Sequence, residues 1–213
     1  MSSSLFAQLE SIKTALTGEK PGKLSHFKMA AIDKDRFDKY YNPSADAHQA
    51  AVLLLITQRK DQSQIIFMRR AHHKDDKHSG QISFPGGRRE ETDKGYLDCA
   101  LRETHEEIGV SSEHIEVLGK LSPLYVFASN HLVQPYVGYF KNYEDILPND
   151  EVAEILFGTM ESFLTDRVSK TTINTHGTVL RDVPYYDLDG HVLWGATAMI
   201  LTEFLDITRD III

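Results

Sequence analysis

The chain has 213 residues, 41% of them hydrophobic and 25% charged, which is ordinary for a globular protein and sufficient for one domain with a substantial core. Its net charge of −8 argues against nucleic-acid binding, which needs a basic surface. The longest apolar run, Ala50–Ile56, is too short to cross a bilayer, so we expect no membrane partner. The single cysteine, Cys99, excludes an internal disulfide and favours a reducing compartment. Because no signal peptide is recognisable, we expect a cytoplasmic protein.

The N-terminal part of the chain predicts one helix followed by an irregular stretch. Residues 4–17 carry apolar side chains at the spacing of one helix face: Leu5, Leu9, Ile12 and Leu16. Residues 18–42 predict an irregular covering segment, which could equally be an arm that binds a partner or forms a dimer. We therefore expect an N-terminal helix and covering segment in residues 1–45 and the main domain in residues 46–213.

The rest of the chain mixes strands with two long helices. The predicted strands are Ala51–Thr57, Ile65–Arg69, Ile115–Leu121, Gln134–Phe140 and Glu154–Gly158. A hairpin is predicted from Lys170–Thr175 and Thr178–Tyr186, turning at His176-Gly177. Leu193–Leu205 predicts a closing helix. This mixture indicates an α/β or α+β sandwich.

The stretch Gly86–Val110 carries the most informative pattern, because it sets a Gly-Gly turn before an acidic helix. At about 100° per residue, three glutamates fall on one side of that helix and a Leu/Ile stripe on another: Glu103, Glu106 and Glu107 against Leu97, Leu101 and Ile108. One interpretation is a solvated acidic face, where such crowding costs only a few tenths of a kcal/mol. The other is a site for Mg²⁺ or Mn²⁺, because hard cations prefer oxygen ligands.

The segment resembles the Nudix box, the signature of the Nudix hydrolase superfamily, which reads G-x5-E-x7-R-E-U-x-E-E-x-G-U with U apolar. The positions that match directly are Arg102, Glu103, Glu106, Glu107, Gly109 and Val110. Thr104 occupies a U position. In the front half, Arg88 and Lys94 stand at the usual Gly and Glu positions. One extra residue would restore the register and leave Glu90 or Asp93 to replace the missing carboxylate.

The insertion and the lead-in Gly80–Gly87 resemble the corresponding features of the coenzyme A pyrophosphatase subfamily of the Nudix hydrolases. The resemblance extends over residues 50–204. The subfamily's further signature begins at Arg70-Ala71, but Asp76 stands where its second Arg is expected. The resemblance implies a Nudix-type α/β/α sandwich with a mixed β-sheet and the loop-helix-loop of the box.

The resemblance also implies an enzyme, a Mg²⁺- or Mn²⁺-dependent pyrophosphohydrolase of nucleotide diphosphates. The expected substrate is coenzyme A or its derivatives, cleaved to 3′,5′-ADP and 4′-phosphopantetheine. Dinucleotide-type substrates such as ADP-ribose or NADH are the alternative. A function of another class is a non-catalytic nucleotide sensor on the same scaffold. Such sensors tend to lose the box carboxylates, whereas this chain keeps all three glutamates of the helix.

The resemblance assigns the metal ligands and catalytic groups to the box. The expected ligands are Glu103, Glu106 and Glu107, joined by a backbone carbonyl of the Gly-Gly pair, Gly87 in particular. Arg102 is expected to orient Glu106. The general base is a box glutamate, Glu106 or Glu107, or else Glu151 on a later loop; the alternative for Glu151 is an ordinary acidic loop residue.

Substrate contacts are expected from arginines, since Arg suits bidentate phosphate binding. The candidates are Arg69, Arg70, Arg88 and Arg89, with Gly86 and His78; for each arginine the alternative is a solvated surface residue. The other polar residues near His78 lack the spacing of a zinc site. Cys99 is expected to be a packed residue rather than a reactive thiol. Trp194 and the apolar N-terminal helix together suggest a homodimer.

Overall fold

A computed structural model of the protein describes residues 3–72, 79–165, 168–175 and 177–212. The α-helices are α1 (Ser3–Ala15), α2 (Lys23–Phe27), α3 (Lys34–Tyr40), α4 (Tyr96–Ile108), α5 (Met160–Thr165) and α6 (Gly195–Ile212). The strands are β1 (His48–Arg59), β2 (Gln62–Arg70), β3 (Ile82–Ser83), β4 (Gly86–Arg88), β5 (Ile115–Lys120), β6 (Leu124–Val126), β7 (His131–Phe140), β8 (Val152–Thr159), β9 (Ser169–Thr175), β10 (Thr178–Leu188) and β11 (His191–Trp194).

The main sheet has eight strands and mixed topology. Its central order is β3-β2-β1-β7-β5, with β4 added to β1, β6 to β7 and β8 to β2. β1 and β7 run parallel, and the other pairs run antiparallel. Strand β1 is buried on both faces: Leu53 and Leu55 belong to one core cluster, Leu54 and Ile56 to the other. A nearly continuous apolar run is what a doubly covered strand requires.

Helices cover both faces of this sheet. Cys99, Ala100 and Ile108 of α4 pack in the core on one face. On the other face, the apolar stripe of α1 lies in the same core cluster as Phe204 of α6. The α/β/α sandwich is therefore confirmed. Because the stripe of α1 is covered within its own chain, it offers no surface to a second copy, and the homodimer stays a prediction without that support. None of the helices in the described ranges is both long and apolar enough to traverse a bilayer.

The N-terminal segment is more regular than predicted. Residues 18–42 were expected to be irregular, but they contain α2 and α3. Asp33 caps α3 by accepting the Arg36 N–H at 3.0 Å, which is a standard way to begin a helix. Two helices of five and seven residues are too short to show a clear apolar period in sequence.

The C-terminal part contains a second sheet of three strands, β11-β10-β9. The predicted hairpin is present as β9 and β10. The predicted closing helix, Leu193–Leu205, is wrong at its start, because Leu193 and Trp194 pair with Tyr186 and Tyr185 as strand β11. The helix begins after them, at Gly195.

A buried carboxylate joins the N-terminal segment to the last helix. Glu203 of α6 is fully buried and accepts the backbone N–H groups of Gly22 and Ser122, each at 3.0 Å. His26 lies 3.3 Å from the same carboxylate and 3.0 Å from the Tyr41 hydroxyl. Burial acts to raise the pKa of Glu203, but the hydrogen bonds from His26 and Ser122 outweigh it and leave that pKa below its ordinary value.

Replacing this carboxylate tests how much it contributes to the stability of the junction between the N-terminal segment and α6. In Glu203→Gln, the amide NH₂ would face a backbone donor, so we expect the free energy of unfolding to fall by about 1–3 kcal/mol. Since the folded pKa is lowered, the wild-type contribution is present above the unfolded carboxyl pKa of about 4.3 and is lost below it. Urea unfolding at pH 7 and pH 4 measures both effects. Glu10→Gln, on the exposed side of α1, is the control, and an equal loss there would contradict the role of Glu203.

Candidate active site

The Gly-Gly pair forms strand β4 against the centre of the sheet. Gly86 has φ 147°, and a Cβ on it would lie 2.3 Å from the Ala51 carbonyl oxygen. A Cβ on Gly87 would lie 2.6 Å from the Glu103 carboxylate carbon. Any side chain at either position would push the loop away from β1 or from α4. The two glycines therefore allow the backbone to touch both the strand and the acidic helix.

Helix α4 presents the predicted acidic side to this loop. It ends at Gly109, whose φ of 72° is left-handed, as expected for a helix C-terminus. Thr104, at the U position, is fully buried and donates its hydroxyl to the Ala100 carbonyl at 2.7 Å, so its polar group is satisfied within the helix. Burial raises the pKa of the Cys99 thiol to about 12. Cys99 is thus a packed residue and not a reactive thiol, as expected.

Glu107 is the most enclosed of the three box glutamates. It is 3% exposed, it accepts the Gly86 N–H at 2.8 Å, and its other oxygen lies 3.5 Å from Arg70 Nη1. Burial raises the pKa of Glu107 to about 8; Gly86 and Arg70 oppose that rise, whereas Glu103 and Glu151 add to it. The two donors therefore compensate only part of the cost of a buried negative charge.

Arg102 organises the other two glutamates. Its Nη1 donates to Glu103 Oε1 at 2.9 Å and to Glu106 Oε2 at 3.1 Å. Glu103 is half-buried against Gly87, and burial raises its pKa although Arg102 opposes the shift. The predicted pairing of Arg102 with Glu106 is present, but Arg102 also engages Glu103.

Asp93 is one of the two residues predicted to replace the missing box carboxylate. It is 4% exposed and receives both Nε and Nη2 of Arg102, at 2.9 and 3.0 Å. It also accepts the Glu90 N–H at 2.8 Å, whereas the Glu90 side chain is exposed. Of the two residues left open by the sequence, Asp93 is the one that the structure joins to Arg102.

Glu151 lies on the loop before β8 and is exposed. Its carbonyl accepts the Ala71 N–H at 2.7 Å, and its own N–H donates to Asn149 Oδ1 at 2.9 Å. These bonds bring it next to the end of β2, where Arg70 is. Its charge acts on both Glu103 and Glu107, so the structure brings Glu151 to the same acidic cluster.

The four predicted arginines have different surroundings. Arg70 contacts Glu107, whereas Arg69 pairs with Glu154 of β8, with Nη2 at 3.0 Å from the carboxylate. Arg89 donates to Gln49 at 2.8 Å and to the Asp93 carbonyl at 3.2 Å. Arg69 and Arg89 therefore make structural contacts that link separate segments of the chain. Arg88 is exposed beside the box and, of the four, only Arg70 reaches a box glutamate.

The last substrate contact predicted from sequence, His78, lies outside the described residues, as does Asp76. A neighbour of Arg88 was missed by sequence reasoning. His48, at the start of β1, has its Nδ1 3.1 Å from Arg88 Nη2. His48 lies 40 residues before Arg88, and only the pairing of β4 with β1 brings the two together.

The donor set suits a hard divalent cation. Glu103, Glu106, Glu107 and the Gly87 carbonyl are oxygen ligands of the kind that Mg²⁺ and Mn²⁺ prefer. Burial raises the pKa values of two of these carboxylates. An added positive charge would lower both pKa values again. Across residues 3–72, 79–165, 168–175 and 177–212, no three acidic, His or Cys side chains are gathered closely enough to hold one ion as they stand. Glu106, which is half-exposed and held by Arg102, would have to turn toward the other two.

The pairing of Asp93 with Arg102 predicts a pH-dependent stability. Arg102 holds the pKa of Asp93 down, at about 2. The contribution is therefore present above the unfolded pKa of about 3.9 and lost as the pH falls toward 2. We expect Asp93→Asn to lower the free energy of unfolding at pH 7 by about 2–3 kcal/mol and to flatten its decline between pH 4 and pH 2. Chemical denaturation across that range provides the measurement. Glu90→Gln is the matched control, and similar losses in both variants would refute the assignment of Asp93.

Sequence relatives place this geometry in a known family. Residues 47–173 match the family described as the NUDIX domain. The chain is 32% identical over 160 residues to a protein of Yersinia enterocolitica named uncharacterized Nudix hydrolase NudL, covering 74% of this chain and 80% of that protein. A protein of Yersinia pestis with the same name is 34% identical, covering 74% of this chain and 78% of the relative.

The fold has solved counterparts as well. The crystal structure of RenU, a Nudix hydrolase from M. smegmatis, superposes with a TM-score of 0.52 at 15% identity, covering 77% of this chain and 87% of that one. At that identity the likeness concerns the fold. Taken with the family match over the box and its surroundings, it leads to one conclusion: the chain belongs to the Nudix family, close to the NudL proteins, and is a hydrolase.

Proposed function

We propose that the protein is a divalent-metal-dependent diphosphatase that cleaves coenzyme A or its derivatives to 3′,5′-ADP and 4′-phosphopantetheine. The observation that carries the proposal is the buried carboxylate of Glu107, with Gly86 N–H and Arg70 beside it and Glu103 packed on Gly87. Two carboxylates thus lie beside the Gly-Gly pair, with a guanidinium next to one of them, and a diphosphate and its counter-ion would meet there. The lead-in Gly80–Gly87 and the insertion before Arg102 support coenzyme A as the substrate.

We propose a separate role for each group of residues in the site. Glu103, Glu106, Glu107 and the Gly87 carbonyl would hold Mg²⁺ or Mn²⁺. When bound, the metal neutralises diphosphate oxygens and lowers the pKa of a coordinated water. Arg70, which reaches Glu107 from β2, would bind a diphosphate oxygen. Arg102 fixes the orientation of Glu103 and Glu106 through contacts at 2.9 and 3.1 Å.

The candidates for the general base are Glu106, Glu107 and Glu151. Glu106 already accepts a hydrogen bond from Arg102 at 3.1 Å. Glu107 lies beside the backbone of Gly86 and is buried, whereas Glu151 is exposed on a loop that borders Arg70. An exposed carboxylate can approach a water bound on the substrate side, and its charge already acts on Glu103 and Glu107. We therefore propose Glu151 as the base and Glu107 as a metal ligand. We also propose the cytoplasm as the compartment of the protein, because its single cysteine, Cys99, is free and buried.

One prediction of the proposed function concerns Glu107. We expect Glu107→Gln to lower turnover by at least about 100-fold, because the ligand charge is lost, while the amide oxygen can still accept the Gly86 N–H and preserve the fold. Steady-state assays with Mg²⁺ and with Mn²⁺, together with thermal melting, provide the measurement. The metal should raise the melting temperature of the wild type but not that of the variant.

The control for Glu107→Gln is Glu113→Gln, a highly exposed glutamate outside the cluster. Near-wild-type rates in Glu107→Gln would remove the metal assignment. If the wild type binds coenzyme A with Mg²⁺ yet releases no product, the alternative of a non-catalytic nucleotide sensor replaces the enzyme.

Another prediction concerns the substrate. We expect kcat/KM for coenzyme A to exceed that for ADP-ribose and NADH, because the lead-in and the insertion are those of coenzyme A pyrophosphatases. Product release by each compound at equal metal concentration, followed by chromatography, provides the ranking. A higher kcat/KM for ADP-ribose or NADH would reject the coenzyme A assignment and retain the diphosphatase.

A further inference from the structure

A cavity of about 390 Å³ lies between the main sheet and the three-stranded sheet. One side of it is formed by Gly80, Gln81 and Ile82, which precede the Gly-Gly pair. The other side is formed by the end of β9 and by β11, including Val192 and Trp194. The cavity therefore depends on the second sheet, which contains none of the proposed catalytic residues.

This cavity adjoins the acidic cluster through the backbone of Arg70. The Arg70 N–H donates to the Gln81 carbonyl at 3.0 Å, and the Gly80 N–H donates to the Arg70 carbonyl at 3.2 Å. The Arg70 side chain in turn lies 3.5 Å from Glu107. A substrate bound at Arg70 can therefore extend one of its two halves along the edge strand β3 toward the cavity.

The cavity suits an uncharged, extended group. Among the described residues that line it, none is Asp, Glu, Lys or Arg. Ile82, Ile173 and Val192 supply apolar walls. Within the described part of the chain, the side chains of Asn174, His191 and Trp194 make no hydrogen bond. Alkyl segments can contact the apolar walls while amide groups hydrogen-bond to these polar atoms.

On the opposite side of the acidic cluster, an exposed arginine lies beside a histidine. The chain passes from Ile82 at the cavity, through Gly86 and Gly87 beside the glutamates, to the exposed side chain of Arg88. Arg88 Nη2 lies 3.1 Å from His48 Nδ1. The centroid of the His48 ring is 5.3 Å from that of His131. This arrangement suits a phosphate, which Arg binds well.

We infer that the substrate binds in one orientation, with its uncharged arm in the cavity and its additional phosphate at Arg88 and His48. This inference rests on the proposed function and assigns the two halves of coenzyme A. The pantetheine arm carries amides and alkyl groups but no charge beyond the shared diphosphate. The adenosine half carries the 3′-phosphate that appears in 3′,5′-ADP. Charge complementarity with Arg88 therefore assigns the adenosine half to that side.

The two products test this orientation separately. Binding of 4′-phosphopantetheine and of 3′,5′-ADP is measured by calorimetry with Mg²⁺. Val192→Trp, which places an indole in the cavity from a residue 37% exposed, should weaken 4′-phosphopantetheine binding by about tenfold or more and leave 3′,5′-ADP unchanged. Arg88→Gln should do the reverse. Val168→Trp is the matched control, since Val168 is 44% exposed and lies outside the cavity; it should change neither.

The outcomes distinguish the orientation from the proposed function. Weakening of 3′,5′-ADP by Val192→Trp, or equal weakening of both products, would overturn the orientation. Thermal melting of each variant shows whether a loss reflects unfolding, and Asn174→Ala, an exposed substitution, should weaken 4′-phosphopantetheine alone by a smaller factor. Failure of the wild type to cleave coenzyme A would overturn the proposed function, and the inference with it. Cleavage of coenzyme A without the selective effects would overturn the inference alone.

Discussion

The acidic cluster depends on one guanidinium whose position is fixed by its hydrogen bonds. Arg102 makes five of them to oxygen: two to Asp93, one each to Glu103 and Glu106, and one to the Arg88 carbonyl. An arginine has five N–H donors, so its capacity is filled. A lysine has only three donors on a flexible stem and could not join the loop to the helix in this way. Because Asp93 and Arg88 belong to the loop, the loop is held to α4 by the same side chain that orients the glutamates.

Burial sets the electrostatic character of the cluster. Glu107 is nearly inaccessible, and the donors around it offset only part of its desolvation, as its raised pKa shows. Glu103 responds in the same direction for the same reason. A solvated acidic face, the plainer interpretation of the sequence, would leave both carboxylates in water with ordinary affinities for protons. The fold instead encloses them beside a Gly-Gly backbone, which favours a positively charged ligand.

Patterns local in sequence predicted much of this structure. The helix of the box, its acidic side and the closing Gly109 follow from periodicity, and the central strands follow from their apolar runs. The predicted start of the last helix failed because Leu193 and Trp194 complete a strand pair with β10, a partner that helix periodicity cannot reveal. The sequence did not distinguish Asp93 from Glu90 as the replacement carboxylate, because the two differ in burial, which is a tertiary property. The contacts of Arg70 with Glu107 and of His48 with Arg88 span 37 and 40 residues respectively, and no local pattern encodes them.

The buried carboxylate of Glu203 also constrains the order of folding during synthesis. Its backbone donor Gly22 is made 181 residues before it, and His26 is separated from it by 177 residues. Contacts of such long range form only after the intervening chain has closed into a loop. While the ribosome is still producing the central sheet, Gly22 and His26 cannot yet meet this partner. The N-terminal segment therefore reaches its final hydrogen bonds only once α6 has emerged from the ribosome.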